Sequence, residues 1–286
     1  MLFLLLAILC NSVESIVVRF SEANLHNRRA VTMINYLAAV LLSAFFVHQP
    51  LWIWEAERAF PLGLGIFNGC LFIVWLILFQ ICVRQNGAAL SAIFAKLGVL
   101  LPTFGAILFF HESPSVLQIC GIVVALTAVV LFNLPEKHLY MEGKTQNFVQ
   151  SSGLLLILVL VIGGVADFNS KIFESAGNPT YDGLFLFYSF LTCLFLSIVY
   201  FLLGQRTISK RDICYGLLIG IPNQLTTMCL LQAVMRLPAS VVFPVYSVAV
   251  ILTVSLIDRL VFHSKFSPRQ WLSLVLVCIA LALLNL

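Results

Sequence analysis

Long apolar stretches follow one another along nearly the whole chain, and short polar or charged segments separate them. A helix needs about 20 apolar residues to cross a bilayer. The pattern therefore predicts an all-α integral membrane protein with ten transmembrane helices, near residues 2–21, 30–48, 61–83, 87–110, 115–134, 153–175, 182–203, 212–235, 239–262 and 268–286. The one longer polar segment, 135–152, lies between the fifth and sixth of these helices.

The second half of the chain repeats polar positions of the first. A constant shift of 152 residues pairs Glu22 with Glu174, Tyr36 with Tyr188, Gln80 with Gln232, Arg84 with Arg236, His111 with His263, Gln118 with Gln270 and Asn133 with Asn285. We therefore predict two five-helix repeats, 1–134 and 153–286, joined by the linker 135–152. Because five is odd, the second repeat enters the membrane inverted. Inverted repeats are typical of alternating-access carriers, whose substrate site lies near the bilayer midplane.

Basic residues are unevenly distributed between the loops. Arg58 lies in a loop after an even-numbered helix, whereas most basic loop residues lie in or beside loops after odd-numbered helices: Arg28, Arg29, Lys137, Lys144, Arg206, Lys210, Arg211, Lys265 and Arg269. The positive-inside rule predicts that the odd-numbered loops are cytoplasmic and both termini are on the far side.

The composition narrows the range of functions. Of the 286 residues, 61% are hydrophobic and only 10% are charged, too few charges for a soluble enzyme or a nucleic-acid binder. The eight cysteines lie singly in apolar stretches, which indicates packing rather than metal binding. The sequence contains no P-loop motif. We therefore expect no ATP hydrolysis, no cofactor and no metal.

Two segments, 92–132 and 237–284, resemble the EamA-like branch of the drug/metabolite transporter superfamily. In that family a helix ends near a glutamate, and a serine, a glutamine and often a glycine follow; Glu112, Ser115, Gln118 and Gly121 match this motif. Ser264 and Ser273 replace the glutamate and the glycine in the second repeat. The resemblance implies a ten-helix transporter with both termini in the cytoplasm. The loop charges imply the opposite orientation, and both alternatives stay open.

Ionisable residues inside the predicted helices are functional candidates, because a charge in hydrocarbon costs about 2.5–3.5 kcal/mol. Glu14 and Asp167 lie at nearly equivalent depths in the two repeats, and we predict that they face one cavity as proton carriers or counter-ions. Lys96 lies deep in the fourth helix. We predict that it either contacts an anionic substrate group or forms a structural pair with an acidic side chain such as Glu14. Lys171 is either a cavity residue or the partner of Asp167, four residues earlier.

Uncharged polar side chains complete the candidate set: Asn11, Asn68, Asn223, Gln224, Tyr36, Tyr188 and Tyr246. Each of them either binds substrate or forms hydrogen bonds and packing contacts between helices. Arg19, Asp258 and Arg259 lie nearer to helix ends, where we expect interfacial roles.

These features predict a secondary-active transporter, a permease or exporter of a small metabolite, an amino-acid-like compound or a drug, with protons as a candidate coupling ion. Two alternatives are a carrier of an anionic, phosphorylated or nucleotide-sugar-like substrate, and a lipid-linked flippase. An intramembrane enzyme is disfavoured, because the His111–Glu112 pair lacks a second histidine. The expected location is a lipid bilayer, in bacteria the inner membrane. Because one chain contains both repeats, a monomer is sufficient to form the transport pathway. A dimer is the other possible oligomeric state.

Overall fold

The computed structural model of the chain describes residues 1–23, 27–47, 56–86, 88–133, 153–204, 206–262 and 267–284, and these parts contain helices but no strands. The helices are α1 (Leu2–Ala23), α2 (Arg28–Phe45), α3 (Ala59–Asn86), α4 (Ala88–Leu97), α5 (Leu100–Phe109), α6 (Val116–Asn133), α7 (Gly153–Ala176), α8 (Asp182–Leu202), α9 (Lys210–Val234), α10 (Ala239–Phe262) and α11 (Pro268–Leu284). The predicted linker 135–152 and the side chains of Arg19, Asp258 and Arg259 lie outside the described residues.

Six helical segments in the described ranges are long and apolar enough to cross a membrane: Ala56–Cys82, Ser91–Phe109, Gly153–Ala176, Pro179–Leu202, Lys210–Val234 and Ala239–Ile257. Three apolar segments are shorter: Leu2–Val18, Val116–Phe132 and Pro268–Leu284. Many large apolar side chains on these helices are exposed, Phe109 and Phe195 among them. A soluble protein rarely exposes so much apolar surface. The chain is therefore an all-helical, multi-pass integral membrane protein.

The sequence pattern predicts one helix over 87–110, but the structure divides this segment into α4 and α5. Pro102 explains the break, because it has no N–H for the carbonyl of Gly98 and its ring clashes with that carbonyl. The Gly98 carbonyl accepts a hydrogen bond from the Leu101 N–H instead, at 3.1 Å. Lys96 consequently lies in the last turn of α4, where the negative end of the helix dipole favours a cation.

Two pairs of helices approach closely at glycines spaced four residues apart. Helix α3 packs on α8 at Gly65 and Gly69, and α9 packs on α2 at Gly216 and Gly220. A Cβ atom at Gly65 would lie only 2.8 Å from the carbonyl oxygen of Phe185, and one at Gly220 would overlap the main chain of α2. Small residues at this spacing let helix backbones come together in membranes.

Helices α6 and α11 begin with the same hydrogen-bonded capping box. In α6, the Ser115 N–H donates to Gln118 Oε1 at 2.9 Å, and the Gln118 N–H donates to Ser115 Oγ at 3.2 Å. In α11, Ser267 and Gln270 form the same two bonds at 3.0 and 3.4 Å. This reciprocal arrangement satisfies two N–H groups that a helix start otherwise leaves unpaired. The serine and glutamine of the sequence motif are therefore helix-start residues.

The helix ends define two faces of the molecule. Helices α2 and α9 begin on one face, where the Asn27 side chain donates to the Thr207 carbonyl at 2.8 Å. We call it the basic face, because the starts of these helices carry Arg28, Arg29, Lys210 and Arg211. Helices α3, α8 and α10 begin on the other face, which we call the opposite face.

The helices surround a central space. Helix α1 packs on α9 and α10, α7 packs on α3, α4 and α5, and α5 also packs on α10. Helices α6 and α11 pack mainly on each other, beside this arrangement. Side chains from α1, α4, α7, α9 and α10 therefore have access to the centre.

Candidate functional site

A cavity of about 540 Å³ lies at the centre of the helix arrangement. Seven of the eleven predicted site residues line it: Asn11, Glu14, Tyr36, Lys96, Asp167, Asn223 and Tyr246. Ser21 and Arg28 line its end at the basic face, and Ser170 lies toward the opposite face. The volume is within the range of about 300–1,000 Å³ that is typical of small-molecule sites.

Three ionisable side chains from different helices share this cavity. Glu14 comes from α1, Asp167 from α7, and Lys96 from the last turn of α4. Lys96 interacts electrostatically with both carboxylates. Within the described part of the chain, none of the three forms an ion pair within 4 Å. The cavity thus presents both signs of charge to a ligand.

Uncharged polar groups line the rest of the cavity. Asn11 of α1 and Tyr246 of α10 face it, and the Asn223 amide donates to Asn35 Oδ1 at 3.1 Å. Trp75 Nε1 and Thr226 Oγ1 are buried cavity-lining donors without a hydrogen-bond partner among the described residues. A buried donor left unpaired costs about 1–3 kcal/mol. These two groups are therefore candidates for hydrogen bonds to a bound molecule.

The sequence did not mark Asn35, Trp75 or Thr226 as site residues. The sequence of an apolar helix does not show whether a polar or aromatic side chain faces a cavity or another helix. One usable signal was the helical spacing of Asn223, Thr226 and Thr227, which places all three on one face of α9. All three line the cavity.

Three predicted candidates lie away from this cavity. Asn68 Oδ1 accepts a hydrogen bond from Asn169 Nδ2 at 3.0 Å, and both side chains are buried between α3 and α7. Tyr188 lies against α3, where a Cβ atom added at Gly65 would be 2.8 Å from the Tyr188 Cβ atom. Gln224 is fully buried and faces a smaller cavity of about 210 Å³ on another side of α9. Asn68 and Tyr188 thus lie at contacts between helices.

Lys171 is the fourth candidate outside the cavity lining, and its partner is not Asp167. Its ammonium group lies 2.9 Å from Glu112 Oε1 and 2.5 Å from Glu174 Oε2. It also lies 5.3 Å from the ring centroid of Phe110. The i, i+4 spacing favours an ion pair of Lys171 with Asp167. In the structure Glu112, which follows the end of α5, forms the ion pair with Lys171 instead.

Glu112 caps the start of α10 from another part of the chain. Its carboxylate accepts hydrogen bonds from the N–H of Ala239 at 3.0 Å, and from the N–H and hydroxyl of Ser240 at 2.9 and 2.7 Å. Burial alone would raise the pKa of the Glu112 carboxyl, but hydrogen bonds from Ser240, Lys171 and Ala239 hold this pKa below its ordinary value of 4.5. A carboxylate at a helix N-terminus is also stabilised by the helix dipole.

We expect the stability contribution of Glu112 to depend on pH. Because its pKa is lowered in the folded protein, the contribution is present above about pH 4.5 and is lost as the pH falls through the lowered pKa. Thermal unfolding of the purified protein and of Glu112→Gln should therefore differ most at neutral pH and converge in acid. A difference in melting temperature that stays constant on acidification would contradict this expectation.

Comparison with known proteins supports the fold and finds a similarity to one transporter family over part of the chain. A solved crystal structure of a protein superimposes with a TM-score of 0.76, covers 99% of this chain and 94% of its own, and is 14% identical in sequence. An uncharacterized protein of Haemophilus influenzae is 24% identical over 284 residues, which are 95% of this chain and 93% of the relative. Residues 150–286 match the EamA-like transporter family. The second half of the chain is therefore similar to the EamA-like transporter family.

Proposed function

We propose that this protein is a secondary carrier for a small amphoteric metabolite, a molecule with an ammonium and a carboxylate group as in amino acids. The observation that carries the proposal is the meeting of Lys96 with Glu14 and Asp167 in one cavity. Lys96 would bind the carboxylate of the substrate, and one of the two acidic side chains would bind its ammonium group. Charge-assisted hydrogen bonds of this kind are about twice as strong as neutral ones.

The walls of the cavity favour a substrate with an apolar part. Five aromatic side chains other than tyrosine line it: Phe72, Trp75, Phe79, Phe190 and Phe243. Trp75 and Phe79 are stacked, with ring centroids 5.2 Å apart. Apolar and aromatic walls with a few fixed polar groups are typical of sites for small molecules. We therefore expect apolar amphoteric compounds to bind better than small polar ones.

We further propose that the chain crosses the membrane ten times as two inverted repeats, 1–134 and 153–286, with the linker 135–152 between them. The helix contacts support this two-fold arrangement. The contact of α2 with α9 corresponds to that of α8 with α3, and the contact of α1 with α9 corresponds to that of α7 with α3. The matching capping boxes of α6 and α11 support it as well.

Alternating access between two membrane faces is the mechanism expected of such a carrier. In the described conformation the cavity reaches Arg28 at the basic face. The loop charges favour a cytoplasmic basic face in a bacterial inner membrane. Glu14 or Asp167 would carry the coupling proton, because a carboxylate in a membrane cavity is a typical proton relay. One chain supplies both repeats, so a monomer is sufficient.

Uptake into proteoliposomes tests the proposal. We expect a pH gradient to drive accumulation of an apolar amino acid, and Glu14→Gln or Asp167→Asn to abolish the pH-driven part while exchange of labelled for unlabelled substrate continues. Glu57→Gln is the matched control, since this glutamate lies outside the cavity lining and contacts Asn178. An uptake rate that changes neither with the pH gradient nor with either cavity substitution would rule out proton coupling. Absence of any amino-acid flux would rule out the substrate class.

A carrier of an anionic substrate is the second candidate, and Lys96 is the observation that favours it. Two carboxylates in the same cavity would repel a phosphorylated ligand, so we rank this alternative lower. Competition of phosphate esters with a labelled amino acid for uptake distinguishes the anionic from the amphoteric substrate. Strong competition by phosphate esters and none by amines would favour the anionic substrate.

A further inference from the structure

A charged cluster closes the central cavity toward the opposite face. It consists of Glu112 after α5, Lys171 and Glu174 on α7, and Ser240 in the first turn of α10. The last cavity-lining residue of α7 is Ser170, and Lys171 directly follows it. The cluster therefore lies at the closed end of the cavity, where α5, α7 and α10 meet.

The local backbone directs Glu112 into this cluster. His111 adopts a left-handed conformation with φ of 54° after the end of α5, and the Glu112 N–H then donates to the Ala106 carbonyl at 3.2 Å. The turn aims the Glu112 carboxylate at the N-terminus of α10 and at Lys171. A residue other than glycine rarely adopts a positive φ, so this turn holds Glu112 in a defined place.

The cluster joins three helices that belong to both halves of the chain. Glu112 accepts from two backbone N–H groups and one hydroxyl of α10, and it also pairs with Lys171 of α7. The Lys171 and Glu112 side chains are only 9% and 14% exposed, so solvent screens this pair little. Opening the cavity to the opposite face would separate α5 from α7 or α10 and break these bonds.

The sequence gives this cluster no counterpart on the basic face. The shift of 152 residues that relates the two halves places Ser264 at the position of Glu112, and Arg19 at the position of Lys171. Serine cannot form an ion pair. The repeat therefore supplies no second carboxylate at the position equivalent to Glu112.

We propose that Glu112 and Lys171, with the N-terminus of α10, form a one-sided lock that keeps the carrier closed toward the opposite face and must open in each transport cycle. This inference rests on the proposed function, since only an alternating-access carrier needs such an opening. Glu174 holds Lys171 from the other side, at 2.5 Å, and gives it a partner when Glu112 moves away. Breaking the lock shifts the population toward the conformation that is open at the opposite face.

Cysteine labelling tests the lock without any knowledge of the substrate. Ser170→Cys places a thiol at the closed end of the cavity, and a membrane-impermeant maleimide is added to oriented vesicles from either face. The protein without Ser170→Cys measures the background of the native cysteines. With Glu112→Gln or Lys171→Gln we expect labelling from the opposite face to rise about tenfold or more, because hydrogen bonds to charged groups contribute more than neutral ones.

Two further variants should raise the labelling by smaller amounts, because each removes only part of the cluster. Glu174→Gln leaves the Glu112–Lys171 pair in place, and we expect a smaller rise. Ser240→Ala removes one of the four bonds that Glu112 accepts, and we expect an intermediate rise in a protein whose helix still has both N–H contacts. Unchanged labelling from the opposite face in both Glu112→Gln and Lys171→Gln, with gel filtration showing folded protein, would overturn the lock. Altered labelling without amino-acid transport would instead contradict only the substrate that we propose.

Discussion

Replacing Gly164 with alanine is expected to destabilise the protein by about 3 kcal/mol or more, and to abolish its expression as a folded protein. A Cβ atom at Gly164 would overlap the carbonyl oxygen of Gly98, and it would lie 2.5 Å from the Leu101 side chain. The contact atom at Gly98 belongs to the main chain, so it cannot rotate away. The glycine is needed because the break between α4 and α5 packs directly on α7.

Gly63→Ala is the matched control for this substitution. Gly63 lies within α3, and a Cβ atom there would have no neighbour within 4 Å. Alanine at this position should therefore stabilise the helix by about 0.5–1 kcal/mol. The measurement is the yield and melting temperature of both variants in the same detergent. Similar behaviour of Gly164→Ala and the control would show that α7 does not press on the helix break.

The sequence was sufficient to predict the helices, because an apolar stretch of membrane-spanning length has few alternative structures. The division of the fourth helix was harder to predict. Pro102 was visible in the sequence, but a proline bends some transmembrane helices and breaks others. The outcome at Gly98 depends on the neighbouring helix, since α7 presents Gly164 to the break. Contact between residues so far apart in the chain leaves no local signal.

The candidate site shows the same limit. The depths of Glu14, Lys96 and Asp167 could be estimated from the sequence, and the structure brings these three together. The partner of Lys171 could not be predicted, because local spacing favours Asp167 and cannot show that Glu112 approaches from α5. Glu112 itself was visible as part of a sequence motif. Its role as the cap of α10 depends on a contact over 127 positions of the chain.

Lys96→Gln is expected to reduce transport of an amphoteric substrate about 100-fold, which corresponds to about 2.7 kcal/mol. The substitution keeps a long polar side chain but removes the cation that we assign to the substrate carboxylate. Glu14 and Asp167 then lose the positive charge of Lys96, with which both interact. The measurement is the initial rate of uptake into proteoliposomes over a range of substrate concentrations. Lys210→Gln, an exposed lysine at the start of α9, is the control and should leave the rate unchanged.

The specificity of the Lys96→Gln variant separates binding of the substrate from a structural role. If Lys96 binds the substrate carboxylate, the variant should prefer an amine that lacks a carboxylate, because the two acidic side chains still bind its ammonium group. If Lys96 only neutralises Glu14 and Asp167, transport of amines and amino acids should fall together, and the melting temperature should fall as well. Lys96→Arg keeps the positive charge and should retain the preference for amino acids at a lower rate, since the larger guanidinium group reduces the space in the cavity.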